Sequence, residues 1–164
     1  MKKLTVALSI VLVLIFALFA LGSSEDKSVD QGKDTADDAT STANLGEYNV
    51  EITSCRLAKD YEGKDVVIVK YIFTNVGDDD AAAFYTTLDA TVYQNGIGLN
   101  EAYFLDDSAS YISDNQTKEI KKGASIEVEE AYTLNDATAD IEVEVTEWIS
   151  FNNTKITKTF TITK

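Results

Sequence analysis

Groups of acidic residues are the first candidates for chemistry in this sequence, because clustered carboxylates can bind a metal ion. Calcium takes about six to eight oxygen ligands, and loops at the end of a domain can supply them. The spacing of these acids differs from that of an EF-hand, so solvated turns are the alternative interpretation. The calcium candidates are Asp78, Asp79, Asp80, Asp106 and Asp107, and further acids lie at Asp114, Asp136 and Asp140.

Aromatic residues form a second group of candidates, because their rings can stack on sugars or anchor a protein partner. Ordinary packing between neighbouring strands is the alternative interpretation. Tyr85 and Tyr93 occupy the face of a predicted strand that points away from the core, which favours a binding role for both. The binding-surface candidates are Tyr85, Tyr93, Tyr103, Phe104 and Tyr111.

The absence of histidine excludes several classes of enzyme. Nucleophilic triads, histidine proton shuttles and nearly all zinc sites need this residue. Ser54 therefore has no histidine to activate it, and the single cysteine, Cys55, is interpreted as a small core residue. Pairs of surface carboxylates could hydrolyse glycosides, but any acidic domain offers such pairs. The sequence predicts a non-enzymatic protein without a cofactor.

The N-terminal segment, residues 1–22, has the pattern of an export signal. Two lysines precede a long apolar run that carries no charge. As a helix this run would measure about 28 Å, close to the hydrocarbon thickness of a membrane, so it is a signal peptide or a signal anchor. Small residues favour cleavage between Gly22 and Ser23. In both cases the following chain is predicted to lie outside the cytoplasm.

Residues 23–46 are predicted to form a disordered, acidic tether. They are rich in Asp, Ser, Thr and Ala, and Val29 and Leu45 are their only large apolar residues. Such a segment buries too little apolar surface to offset the entropy of ordering. The net charge of −14 argues against nucleic acid and anionic membrane surfaces as partners. Membrane contact is expected only through the N-terminal apolar segment, if it stays uncleaved.

From residue 47 to residue 164, apolar and polar residues alternate with the period of half-buried β-strands. Turn signals such as Asn95-Gly96 separate the alternating runs. The pattern indicates seven or eight strands, no helix after the N-terminal segment, and a long loop at 105–116. The predicted fold is therefore all-β, an antiparallel immunoglobulin-like β-sandwich.

One predicted strand is apolar on both faces. Its core face consists of Val67, Val69, Tyr71 and Phe73, and its second face of Val66, Ile68 and Ile72. Either the 105–116 loop covers the second face or another chain does, and we favour the loop.

Several motifs together resemble a known family. The stretches "LAKDYEGK", "VVIVKYIFTN" and "YQNG" are similar to the family of domains of unknown function 5067, found on exported proteins and lipoproteins of Gram-positive bacteria. The resemblance covers residues 47–163 and implies a surface location and an immunoglobulin-like fold. It implies no activity and no catalytic residues. Asp65 and Lys122 replace prolines of the family pattern, and the cysteine that carries the lipid of a lipoprotein is absent.

The expected function follows from these features. The chain is interpreted as an exported, non-enzymatic module, extracellular or on a Gram-positive cell surface, that binds a protein or a cell-envelope component. A carbohydrate-binding or envelope-sensing accessory domain is the alternative, and a small hydrolase is the third possibility.

Overall fold

The computed structural model describes residues 41–78, 80–103, 105, 110–149 and 153–162. These residues belong to one compact unit, Gln31–Lys164. The predicted signal segment, its cleavage position between Gly22 and Ser23, and the tether up to residue 40 lie outside them. No helix in the described part of the chain is long and apolar enough to cross a membrane.

The described residues form ten strands, a short α-helix and a 3-10 helix. In chain order they are β1 (Ser41–Leu45), β2 (Tyr48–Lys59), β3 (Asp65–Asn75), β4 (Ala81–Ala82), α1 (Phe84–Thr87), β5 (Leu88–Gln94), β6 (Ile97–Gly98), the 3-10 helix (Ser113–Thr117), β7 (Ile120–Lys121), β8 (Ser125–Thr133), β9 (Ile141–Glu147) and β10 (Lys155–Phe160). The first sheet has the order β1-β2-β3-β8, and the second has the order β10-β9-β5-β6. All these pairs are antiparallel, so the predicted all-β architecture is confirmed.

The strand count exceeds the predicted seven or eight. Three of the ten strands, β4, β6 and β7, have two residues each. A strand of two residues is too short for a period of two to appear in the sequence. The strand β1 is also additional, because it lies within the segment 23–46 that was predicted to be a disordered tether. It pairs along β2 and buries Leu45 completely, so the folded region includes residues 41–45 and does not start at residue 47.

The residues 84–87 form the helix α1, so the strand predicted to start at Phe84 is wrong in this part. The Thr87 hydroxyl donates a hydrogen bond to the Ala83 carbonyl oxygen at 2.9 Å, a local bond that competes with strand pairing. Phe84 is buried in the core between the sheets. Tyr85 therefore lies on a helical turn and not on the outer face of a strand.

One hydrophobic core lies between the two sheets, and β3 supplies its centre. Val67, Val69, Tyr71 and Phe73 all face this core, as predicted, and Cys55 is buried in it too. The burial of these large side chains is the main contribution to folding free energy in such a domain.

The second face of β3 is covered by residues of the same chain. Val66 and Ile68 form a separate buried cluster with Ala102 and Ala131, and Leu105 and Tyr111 pack against it. The prediction that the chain itself covers this face is confirmed for Val66 and Ile68, because Leu105 and Tyr111 belong to the predicted loop. Ile72 is half-buried and lies outside this cluster. This cover positions Tyr111 next to β8.

Lys158 shows that the core side of the sandwich also accepts a charged group. It alternates with Ile156 and Phe160 on the buried face of β10. Its ammonium donates a hydrogen bond to the Thr53 carbonyl oxygen at 2.9 Å, at the point where the register between β2 and β3 shifts. A bulge leaves backbone groups outside the regular ladder, and the ammonium satisfies one of them.

Candidate binding cleft

Glu130 is the residue around which the candidate site is built. Its position in β8 is opposite Val69 of β3, while Tyr132 and Val128 lie opposite Val67 and Tyr71. Side chains of an antiparallel pair that lie opposite each other share one face of the sheet. The carboxyl group of Glu130 is therefore on the core side of the first sheet, at its edge strand.

Few polar groups surround this carboxyl group. The Tyr132 hydroxyl lies 2.8 Å from Glu130 Oε2 and 2.9 Å from the carbonyl oxygen of Ala90, which links β8 to β5 of the second sheet. None of the ion pairs among the described residues includes Glu130. Glu130 is thus half-buried at the edge of the sheet, and no described cation pairs with its carboxyl group.

The pKa of Glu130 reflects this environment. Burial raises it from the ordinary 4.5 to about 7. The hydrogen bond from Tyr132 acts in the opposite direction, and the nearby carboxylates of Glu101 and Asp89 raise the pKa further. Glu130 therefore exchanges its proton near neutral pH, which is unusual for a carboxylic acid.

A cleft of about 180 Å³ opens above Glu130. We call it the tyrosine cleft, and its lining consists of Glu101, Ala102, Tyr103, Tyr111, Ser113, Gln116, Glu130 and Ala131. Three segments build it: the edge of β8, the chain around 101–103, and the segment 111–116 that includes most of the 3-10 helix. The cleft thus lies where two connections pass over an edge strand.

Backbone hydrogen bonds hold the first connection against β8. The amide of Ala102 donates to the Ala131 carbonyl oxygen at 2.8 Å, and the amide of Thr133 donates to the Asn100 carbonyl oxygen at 2.9 Å. These bonds extend the ladder of β8 by a few residues and place Glu101 and Tyr103 on either side of Ala102. They also cover part of an edge that would otherwise be open to pairing with another chain.

A buried ion pair holds the second connection. Glu129, only 2 % exposed, accepts two hydrogen bonds from the guanidinium of Arg56, one of them at 3.0 Å from Nη2. The same carboxylate accepts the amide of Ile112 at 3.1 Å. Asn115 donates to the Glu127 carbonyl oxygen at 2.9 Å, further along β8. Glu129 lies on the outer face of β8, and this cover explains its burial.

The tyrosines of the cleft remain neutral at physiological pH. Tyr103 is 73 % exposed and donates its hydroxyl to the carboxylate of Glu101, which raises the pKa of Tyr103. Burial raises the pKa of Tyr111 to about 12. Their rings therefore offer π faces, and their hydroxyls stay hydrogen-bond donors, beside two carboxylates.

The surface continues beyond the cleft into a second, more open hollow of about 310 Å³. It shares Glu101 and Tyr103 with the cleft and adds Tyr61, which is 69 % exposed, together with Glu62 and Lys64. Tyr61 was not among the predicted binding residues, although its position in the turn "DYEGKD" indicates an exposed side chain. The two hollows form one continuous surface of tyrosines and acids.

The predicted aromatic candidates fall into two places. Tyr103 and Tyr111 line the tyrosine cleft, and Tyr85, 54 % exposed on α1, lies near enough to contribute to the raised pKa of Tyr103. Tyr93 lies apart, in an open trough of about 500 Å³ beside Asp140 and Glu142. Phe104 lies outside the described residues.

The described acids do not assemble into a metal centre. Among the described residues no group of three or more Asp, Glu or Cys side chains could hold a metal ion. Asp78 instead pairs with the Lys122 ammonium at 2.5 Å, and Asp80 is exposed. Asp79, Asp106 and Asp107 lie outside the described residues.

Asp114 and Asp136 are explained by local structure. Asp114 is exposed in the 3-10 helix. Asp136 Oδ1 accepts the amide of Thr138 at 2.8 Å, which is a turn-stabilising bond. Asp140 is exposed at the trough that contains Tyr93. None of these three acids lines the tyrosine cleft.

Comparison with known proteins identifies the family. The model of a family described as "Domain of unknown function (DUF5067)" matches residues 23–147. The chain belongs to the DUF5067 family. The match confirms the resemblance seen in the sequence, although it starts at residue 23 and not at residue 47. The DUF5067 match includes every residue that lines the tyrosine cleft.

A solved structure shares the fold of this DUF5067 chain. It is described as a "putative lipoprotein from Staphylococcus aureus subsp. aureus NCTC 8325" and superposes with a TM-score of 0.55 at 17 % sequence identity. The superposition covers 77 % of the present chain and 95 % of the other. At this identity the likeness concerns the fold alone. A search of curated proteins gave no match.

Proposed function

We propose that this DUF5067 chain is an exported, non-enzymatic module of the Gram-positive cell surface that binds a protein partner through the tyrosine cleft. The observation that carries the proposal is that one cleft is lined by the exposed Tyr103 and by the half-buried Glu130, which has no cation beside it. Aromatic anchors next to a desolvated charged group are typical of the energetic centre of an interface.

The Glu130 carboxylate is expected to lower the free energy of unfolding, and this supports a binding role for the cleft. A carboxylate in a desolvated site without a counter-ion destabilises the fold, and such groups concentrate at functional sites. A structural role would be served better by an apolar side chain at this position, since Val128 and Tyr132 on either side already face the core. A partner that pairs with the carboxylate inside the cleft would explain why this position has an acid.

The immunoglobulin-like type of the sandwich is part of the proposal, and the strand order supports it. In an immunoglobulin domain one sheet contains the strands A, B and E, and the other contains G, F and C. Here β2, β3 and β8 follow the first order, and β10, β9 and β5 follow the second, with β6 in the place of an additional C′ strand. Connections near strand ends are the usual binding regions of such domains.

Export and surface location are supported by the sequence and by the description of the structural relative. The lysines and the apolar run of residues 1–22 have the pattern of an export signal. The relative is described as a lipoprotein. In the present chain Ser23 and Ser24 follow the apolar run, and a hydroxyl cannot form the thioether of a lipoprotein. Attachment would therefore rest on an uncleaved apolar segment.

A compartment experiment tests the export part of the proposal. We expect protease added to intact Gram-positive cells to digest a C-terminally tagged copy of the full chain, because the tag lies outside the membrane. The mass of the intact protein then separates the two forms of export: a chain that begins at Ser23 is recovered from the medium, and a chain that keeps residues 1–22 stays with the cells. Protection of the tag in intact cells, with digestion after lysis, would contradict export.

A capture experiment tests the binding part. The tagged full chain is cross-linked to intact cells and purified, beside the variants Tyr103→Ala and Tyr93→Ala. Both substitutions remove a tyrosine ring, but only the first lies in the tyrosine cleft. We expect the same partner with wild type and Tyr93→Ala, and a loss of at least tenfold with Tyr103→Ala, as for an interface hot spot. Equal capture by all three proteins would contradict a role of the cleft.

Carbohydrate binding is the second candidate function, and the trough around Tyr93 favours it. There one aromatic ring lies beside Asn95, Thr138, Asp140 and Glu142, which supply hydrogen-bonding groups on an open surface. Sugar binding commonly combines a stacking ring with polar side chains. In the capture experiment this function predicts retention of cell-wall polysaccharide that Tyr93→Ala abolishes and Tyr103→Ala preserves.

A further inference from the structure

One oxygen of the Glu130 carboxyl group accepts no hydrogen bond from the described residues. Its Oε2 atom accepts the Tyr132 hydroxyl at 2.8 Å, and no described residue donates a hydrogen bond to Oε1. No lysine or arginine among the described residues forms an ion pair with either oxygen. The neighbouring Glu129 differs in this respect, because Arg56 neutralises it. Glu130 faces a cleft of about 180 Å³ instead.

The walls of the cleft favour a positive charge. The lining includes Tyr103 and Tyr111, whose neutral rings can attract a cation electrostatically, and Glu101 adds a second carboxylate. The described residues of the lining include no basic side chain. The net charge of −14 also attracts a basic partner over a longer range.

We propose that the tyrosine cleft binds the ammonium group of a lysine side chain from a basic partner protein, with the Glu130 carboxylate as its counter-ion. The inference rests on the proposed function and adds the chemistry of the partner. An ammonium is a compact point charge that needs only one carboxylate oxygen, and no described residue donates to Oε1. The four-carbon stem of lysine can pack along the tyrosines of the lining while its ammonium reaches the carboxylate.

Binding of an ammonium to this site is linked to a proton. Since the pKa of Glu130 is about 7, a cation that requires the carboxylate form displaces a proton when it binds near that pH. Affinity should therefore be constant well above pH 7 and fall by about tenfold for each pH unit below it. The titratable groups that face Glu130 are Tyr132, Glu101, Asp89, Tyr71, Tyr103 and Tyr111.

Isothermal titration calorimetry of the purified chain tests the proposal. The probe is pentalysine with an acetylated N-terminus and an amidated C-terminus, and the comparison probe is the same peptide with every side-chain amine acetylated. The variant Glu130→Gln removes the counter-ion. The variant Glu47→Gln removes one charge from an exposed residue between β1 and β2, which lines neither the cleft nor the trough, and serves as the matched control.

The expected result is binding of pentalysine that Glu130→Gln weakens by at least tenfold and Glu47→Gln changes by less than about twofold, since a desolvated charge pair is worth far more than an exposed one. The acetylated peptide should not bind. Titrations at pH 7 in buffers of different ionisation enthalpy should show proton release with the wild type and none with Glu130→Gln. Equal weakening by the two variants would overturn the proposal, because it would mean attraction to the overall negative charge.

Two results distinguish a failure of the ammonium site from a failure of the proposed function. If Tyr103→Ala abolishes capture of the cellular partner while Glu130→Gln preserves it and no proton is released, the cleft binds a partner by another chemistry. If pentalysine binds as expected but no partner is captured from cells, the ammonium site stands and the surface-binding role fails.

Discussion

Replacing Glu130 by glutamine is expected to raise the free energy of unfolding by about 3 kcal/mol at pH 8. The pKa of Glu130 rises from 4.5 in the unfolded chain to about 7 in the folded protein, and such a difference corresponds to about 3 kcal/mol at 1.36 kcal/mol for each pH unit. At pH 8 the wild-type protein bears this penalty in full, because the carboxyl group is ionised in both states. Glutamine has nearly the same shape, carries no charge, and keeps an oxygen that can accept the Tyr132 hydroxyl.

The sign of the pH dependence follows from the same pKa difference. Between pH 4.5 and 7 the folded state binds more protons at Glu130 than the unfolded state does, so this group lowers stability as the pH rises through that window. Below pH 4.5 the group is neutral in both states and the penalty is absent. Urea unfolding monitored by circular dichroism should therefore show a difference between Glu130→Gln and wild type that grows from pH 4.5 to 8.

The control for this experiment is Glu142→Gln, an exposed position on β9. Its difference from wild type should stay within about 0.5 kcal/mol over the same range, as is usual for surface substitutions. A Glu130→Gln variant as stable as wild type at pH 8 would show that the carboxylate carries no penalty in the folded protein. The reason to retain a binding acid at this position would then also disappear.

Replacing Arg56 by methionine is expected to lower the free energy of unfolding by about 3 kcal/mol, since removal of one partner of a buried ion pair leaves a buried charge behind. The remaining carboxylate of Glu129 is 2 % exposed and would retain only the Ile112 amide of the donors that the structure shows. The Arg56 side chain is partly exposed, so the lower end of the usual range applies. Urea unfolding at pH 7 measures the change.

The double variant Arg56→Met/Glu129→Gln separates the charge from the loss of packing. Glutamine at position 129 is neutral and can still accept the Ile112 amide, so most of the lost stability should return, to within about 1 kcal/mol of wild type. If the double variant is as unstable as Arg56→Met alone, packing of the arginine stem is the dominant contribution. Faster hydrogen exchange at Ile112 in Arg56→Met alone would show that the pair holds the segment beside the cleft.

The two predictions concern adjacent residues of β8 with opposite roles. Glu129 faces outward from the sheet and is neutralised by Arg56, so that it fastens the 110–112 segment over the second face of β3. Glu130 faces the core side, has no cation, and remains available to a ligand in the tyrosine cleft. Glu129 stabilises the segment beside the cleft, and its charge is neutralised by Arg56. Glu130 destabilises the fold through a carboxylate that only a ligand would neutralise.

Much of this architecture was readable from local patterns. Alternation over Val67, Val69, Tyr71 and Phe73 identified the centre of the core, because every second side chain of a strand faces the same side. The same rule places Glu130 on the face of Val128 and Tyr132, yet Glu130 was not among the predicted site residues. Lys158 between Ile156 and Phe160 is the equivalent case on β10. In both positions the period was informative although the residue type was not apolar.

Other features depended on contacts that no local pattern contains. β1 was assigned to the tether because a segment with one large apolar residue shows no periodicity, and it becomes a strand only by pairing along β2. The helix α1 replaces the strand predicted around Tyr85, because Phe84 is buried in the core and the Thr87 hydroxyl donates to the Ala83 carbonyl oxygen within one turn. Both are decided by neighbours that are distant in sequence or by competition between alternative hydrogen bonds.

The sequence by itself determined the all-β architecture, the family, the core face of β3 and the candidacy of Tyr103 and Tyr111, because alternation, turn residues and family motifs are local properties of the chain. Only the tertiary structure decided that these two tyrosines share one cleft and that Glu130 lines it with them. The pair that fastens one side of this cleft, Arg56 and Glu129, joins residues 73 positions apart. The pKa of Glu130 likewise arises from burial between segments brought together by folding, since desolvation depends on what surrounds a group in space and not on its neighbours along the chain.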